Sequence, residues 1–104
     1  MNLRDLLEEE ALGLPGVEPS VGPDGSLAWT RTGKQFAVAA ADGSSAEFAL
    51  DPAVADAAAR TPDVTASGRG AGWVTFAPAA LDDHAADRAV AWLASAYRRA
   101  EPRN

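Results

Sequence analysis

Hydrophobic and polar positions alternate along this chain in two distinct rhythms. Apolar side chains at Leu3, Leu6, Leu7, Ala11 and Leu12 recur at helical spacing and predict a helix from Leu3 to Leu12. Asn2 suits its N-cap, and Gly13 followed by Pro15 stops it. A second helical rhythm, at Ala86, Ala89, Val90, Leu93, Ala96, Tyr97 and Ala100, predicts a long last helix that starts at Asp82 or Asp83 and runs to about Arg99. Its acidic start and its Arg98-Arg99 end both suit the helix dipole. Between these two lies Asp51-Pro52, an N-cap and first-turn proline that open a short alanine-rich helix to Arg60.

The rest alternates with period two, the mark of strands. Leu27 to Thr32 puts Leu27, Trp29 and Arg31 on one face. Gln35 to Ala41 follows the Thr32-Gly33 turn. Counted from Phe36, it sends Phe36, Val38 and Ala40 inward and Ala37 and Ala39 outward. Asp42-Gly43 is a hairpin signal, because a type I′ turn needs positive φ at both central positions. Ser44 to Leu50 then pairs back, with Ala46, Phe48 and Leu50 inward. Short strands are expected at 63–67 and 72–77, the second with Val74 and Phe76 inward and Trp73 and Thr75 outward. Val17 to Gly22 reads as an edge strand weakened by Pro19. The predicted fold is α+β: a single antiparallel sheet, meander plus hairpin, with helices packed on one face, in one domain spanning 1–104.

Composition narrows the function. The 104 residues are 47% hydrophobic and 23% charged, ordinary for a globular domain. There is no cysteine, which excludes disulfides and thiolate chemistry. The start, Met1-Asn2-Leu3-Arg4-Asp5, lacks the basic and apolar pattern of a signal peptide, and no apolar run approaches the ~20 residues that span a bilayer. A cytoplasmic protein without a membrane partner is expected. The net charge of −6 disfavours indiscriminate nucleic-acid binding, which needs clustered cations.

No catalytic constellation stands out, and no cofactor or metal site is expected. The single histidine, His84, sits among Asp82, Asp83 and Asp87 at a helix start, where a surface role explains it better than catalysis. Asp83, Asp87 and His84 do not make a closed ligand set. Gly68, Gly70 and Gly72 lead into a strand, whereas a phosphate loop opens a helix. Two surfaces remain. Arg31, Lys34 and Arg69 lie at predicted hairpin tips and would form a small basic cluster if the tips are neighbours. Trp73, with Ala37 and Ala39, would make a smooth outer sheet face suited to a dimer contact or another protein.

Four short motifs occur in order along nearly the whole chain: Leu14-Pro15-Gly16-Val17-Glu18, Gly33-Lys34-Gln35-Phe36-Ala37, Gly72-Trp73-Val74 and Ala96-Tyr97-Arg98. Together they resemble the MmcQ/YjbR-like family of small bacterial proteins. Ala96 departs from the pattern, since the family commonly has serine there. The resemblance implies an α+β fold likened to type III secretion chaperones. It also implies a non-enzymatic role in binding double-stranded DNA through paired hairpin wings. Carried onto this sequence, the wing tips are Arg31, Thr32, Gly33 and Lys34 in one hairpin and Arg69 in the other.

Overall fold

The computed structural model describes residues 2–101. Along the chain it forms α1 (Leu3–Ala11), β1 (Val17–Val21), β2 (Leu27–Arg31), β3 (Lys34–Ala39) and β4 (Ala46–Ala49). There follow α2 (Pro52–Ala59), β5 (Val64–Ala66), β6 (Trp73–Phe76) and α3 (Asp83–Arg99). All six strands join one antiparallel sheet in the order β1-β2-β3-β4-β6-β5. The α+β class and the one-sided helical layer expected from the hydrophobic rhythm are both present.

The caps follow the local chemistry. The Asn2 side chain accepts from the Asp5 N–H at 2.9 Å, and the Asp82 carboxylate accepts from the Ala85 N–H at 2.8 Å. Asp51 holds the cap position of α2 but makes no capping hydrogen bond; its carboxylate turns instead to Arg99, 3.3 Å away. Pro19 sits within β1 at the sheet's edge, where its missing N–H costs no ladder bond.

One face of the sheet carries the core. Leu27, Trp29, Phe48, Val74 and Phe76 pack there against Leu3 and Leu7 of α1 and Leu93 and Tyr97 of α3. Trp92 of α3 fits between Phe48 and Phe76, with ring centroids 6.1 and 5.0 Å away. Ala85, Ala89 and Ala96 bring the small side of α3 close to the strands.

The register of β3 corrects the simple alternation. Leu27 opposes Ala39, Ala28 opposes Val38 and Trp29 opposes Ala37; the pairing then skips, and Thr30 opposes Gln35. Phe36 is the extra residue of a β-bulge. The bulge lets Phe36 and Ala37 both turn to the core and shifts the parity of everything after them. Ala37 and Ala39 are therefore fully buried beneath the helices, while Val38 belongs to the opposite face. Opposite the bulky Trp29 indole, a small side chain at position 37 is what the packing requires.

The two ends of the sheet differ. At one end, Asp24-Gly25-Ser26 and Asp42-Gly43-Ser44 form matching turns, in which an aspartate oxygen accepts from the N–H and the hydroxyl of the serine two residues on. These bonds hold both carboxyls below the usual aspartate range. Arg4 ties the two turns together, donating to the Gly25 and Ala41 carbonyls at 3.0 and 3.1 Å. At the other end lie the β2–β3 turn, the β5–β6 loop and the C-terminus of α3.

Candidate functional site

The antiparallel register sends both predicted tips to the same end. Arg31 opposes Lys34 at the β2–β3 turn, and Ala49 opposes Trp73 where the β5–β6 loop enters β6. The β2–β3 turn uses positive φ at Thr32 (53°) and Gly33 (78°), and positive φ is unusual for a β-branched residue. The loop closes on Gly72, which has φ of 83° and passes so near the Leu50 carbonyl that a Cβ would collide with it. That close approach allows the Leu50 N–H to donate to the Gly72 carbonyl at 2.8 Å.

The two tips share an end of the sheet but not a face. Arg31 lies toward the helices: it donates to the Tyr97 carbonyl at 2.9 Å, and its guanidinium carbon stands 3.8 Å from the Tyr97 ring centroid. It thereby satisfies a carbonyl in the last turn of α3, where the dipole favours a cation. Lys34 is exposed beside it. Arg69 folds over the bare face, where its Nε meets the Glu47 carboxylate at 2.9 Å and its guanidinium lies 5.7 Å from the Trp73 ring. Ser67 also donates its hydroxyl to Glu47.

Two further cations join this end, Arg98 and Arg99 in the last turn of α3. Arg98 is exposed, and Arg99 reaches Asp51 at the start of α2. Arg31, Lys34 and Arg99 line a cleft of about 490 Å³ with Asp51 and Glu101. Sequence reasoning placed Arg98 and Arg99 in the last helical turn but not at the site. Only the topology, with α3 ending beside the β2–β3 turn, brings them there. The acidic residues Asp82, Asp83 and Asp87 occupy the opposite half of the same helix.

Trp73 stands half-buried on the bare face, as its alternation predicts. The expected partners Ala37 and Ala39 do not join it, because the bulge turns them into the core. The face around Trp73 is made instead by Val38, Glu47, Ala49 and Thr75, with Arg69 laid across it. His84 is exposed in the first turn of α3. Among the described residues no group of three or more histidines, cysteines or carboxylates could hold a metal, and no helix is long and apolar enough to cross a membrane.

The four short motifs converge at the basic end. The Tyr97 hydroxyl donates to the Pro15 carbonyl, the Phe36 ring meets Tyr97 edge-on at 5.8 Å, and Gly72 seats Leu50. These contacts hold the end of α3, the β2–β3 hairpin and the β5–β6 loop together. The chain matches no protein-family model and no curated protein.

Proposed function

We propose that the chain is a non-enzymatic binding protein, similar to the MmcQ/YjbR-like family, that addresses the phosphates of double-stranded DNA with its basic end. The observation that carries this reading is the gathering of Arg31, Lys34, Arg69, Arg98 and Arg99 at one end of a molecule whose net charge is −6. Charges separated by more than a Debye length, about 10 Å at 0.1 M salt, are largely screened from each other. A phosphate at the basic end therefore responds mainly to the local cations rather than to the net charge. The cations divide into two roles. Arg31 and Arg99, held by Tyr97 and Asp51, keep the helix end and the hairpin together and add fixed positive charge. Lys34 and Arg98 are exposed and reach outward, and Arg69 would exchange Glu47 for a phosphate.

Contacts of this kind position a duplex without reading its sequence. With about three phosphate contacts, the logarithm of affinity should fall with the logarithm of salt at a slope of roughly −3. Fluorescence anisotropy of a labelled duplex at low salt tests the reading. Lys34→Glu with Arg98→Glu should weaken binding roughly tenfold or more. No binding by the unaltered protein at tens of micromolar, or equal binding by the double variant, would reject it.

A second reading, a dimer or protein contact on the bare face, rests on the half-buried Trp73 and Thr75 alone, since Val38 and Ala49 beside them are already buried. Trp73→Glu would then abolish an oligomer seen by light scattering while the fold persists. A monomer at all concentrations would remove this reading.

A further inference from the structure

A separate surface lies between α1 and the edge strand β1. It is a groove of about 400 Å³ with walls of Ala11, Leu12, Val17 and Pro19 and a floor formed by Trp29. Leu12 is 89% exposed on its rim, and Val21, 66% exposed, continues the same side of β1. These are the two exposed large apolar side chains among the described residues; Leu12 lines the groove, and Val21 lies two residues beyond its Pro19 wall. Leaving them in water has no use for the fold: Leu12 only ends α1, and Val21 only ends β1. Apolar side chains grouped along a groove are a mark of a binding surface.

The chemistry around the groove selects the occupant. Its lining holds Asp5, Glu8 and Glu9 and no basic side chain. Two cations flank it: Arg4 of α1 is spent on the Gly25 and Ala41 carbonyls and lies 3.9 Å from Glu8, and Arg31, opposite Val17, is held by the Tyr97 carbonyl. The free edge of β1 adds acceptors. The Gly22 N–H bonds to the Ser26 carbonyl, so the antiparallel alternation turns the backbone of Val21, Pro19 and Val17 away from β2. That edge presents three carbonyls but only two N–H groups, because Pro19 has none. A ligand rich in donors and positive charge, with apolar side chains between, complements all three features.

We propose that this groove receives a short cationic peptide segment of a partner protein, its leucine-like side chains against Trp29 and Leu12 and its lysines or arginines against Asp5, Glu8 and Glu9. An acetylated hexapeptide of alternating leucine and arginine serves as the probe. It is titrated into the ¹⁵N-labelled chain at 50 mM salt (~14 Å Debye length). Saturable shifts are expected at the Ala11, Leu12 and Val17 amides and at the Trp29 indole. The same peptide with glutamate for arginine should leave them unmoved. Leu12→Ser with Glu9→Lys, both exposed positions, should raise the dissociation constant at least tenfold with the remaining spectrum unchanged. Shifts elsewhere on the acidic surface, equal binding of the glutamate peptide, or indifference to the double variant would overturn the proposal. Concentration-dependent self-association abolished by Leu12→Ser would overturn it too, in favour of a second copy as occupant.

Discussion

The guanidinium of Arg31 is stacked on the Tyr97 ring, 3.8 Å from its centroid, while it donates to the carbonyl of the same residue at 2.9 Å. One side chain thus caps the last turn of α3 and pins the β2–β3 hairpin to it. The neighbour across the turn, Lys34, has no such duty and is exposed. Arg31→Ala should therefore destabilise the protein by about 1–3 kcal/mol, from the lost hydrogen bond and cation–π contact. Lys34→Ala should stay within about 0.5 kcal/mol. Urea denaturation of the two variants measures the difference; equal stabilities would contradict the assigned roles.

The bulge at Phe36 makes a claim about Ala37. Because Ala37 faces Trp29 and Phe48 beneath the helices, Ala37→Leu overpacks the core and should cost about 1–3 kcal/mol. On an exposed face the same change would cost close to nothing. A thermal melt unchanged by Ala37→Leu would restore the unbulged register.

Gly72 is required for two reasons at once, a positive φ and the Leu50 carbonyl pressed against its Cα. Gly72→Ala should cost about 1–3 kcal/mol. Gly33→Ala, where φ is also positive but space is open, should cost less. Denaturation midpoints of the pair separate close approach from backbone conformation.

Asp24 and Asp42 are held below the usual aspartate range, first by the hydroxyls and then by the N–H groups of Ser26 and Ser44. A carboxyl with a lowered folded-state pKa stabilises the fold above its unfolded pKa and stops doing so as pH falls through the folded value. Stability should therefore decline below about pH 4. Ser26→Ala with Ser44→Ala should shrink that decline, as read from urea midpoints between pH 2 and pH 6. An unaltered pH profile in the double variant would show that these turns do not contribute.

Much of the fold was legible because its signals are local. The helical spacing of α3 and the alternation of Val74 and Phe76 each act within a few residues, and each element formed where its pattern lies. The reversal at Asp42-Gly43 formed too, but as a wider loop between Ala39 and Ala46 in which Gly43 and not Asp42 takes positive φ, so it is not the type I′ turn expected. The parity of β3 was not legible from its own residues. Phe36, Ala37, Val38 and Ala39 are all apolar, so nothing in the run marks where alternation skips; the pairing of Trp29 with Ala37 decides it. The same limit applies to the candidate site. Arg31 and Lys34 could be placed at a tip from the turn residues alone. That Arg69 crosses to Glu47 on the other face, and that Arg99 arrives beside Lys34, depends on how distant elements stack. Trp92 was missed for a related reason, since its neighbours Phe48 and Phe76 come from strands that only the sheet order makes adjacent to α3.

The proposal for the basic end is tested most directly by mapping a duplex onto the protein residue by residue. A 12-base-pair duplex titrated into the ¹⁵N-labelled chain at 20 mM salt (~21 Å Debye length) should move the amides of Thr32 to Lys34, Arg69 to Gly72, and Arg98 and Arg99. The turns at Asp24 and Asp42 should stay still. Shifts that fade between 50 and 200 mM salt would match phosphate contacts. A spectrum unmoved by excess duplex, or one that moves away from the basic end, would contradict the account.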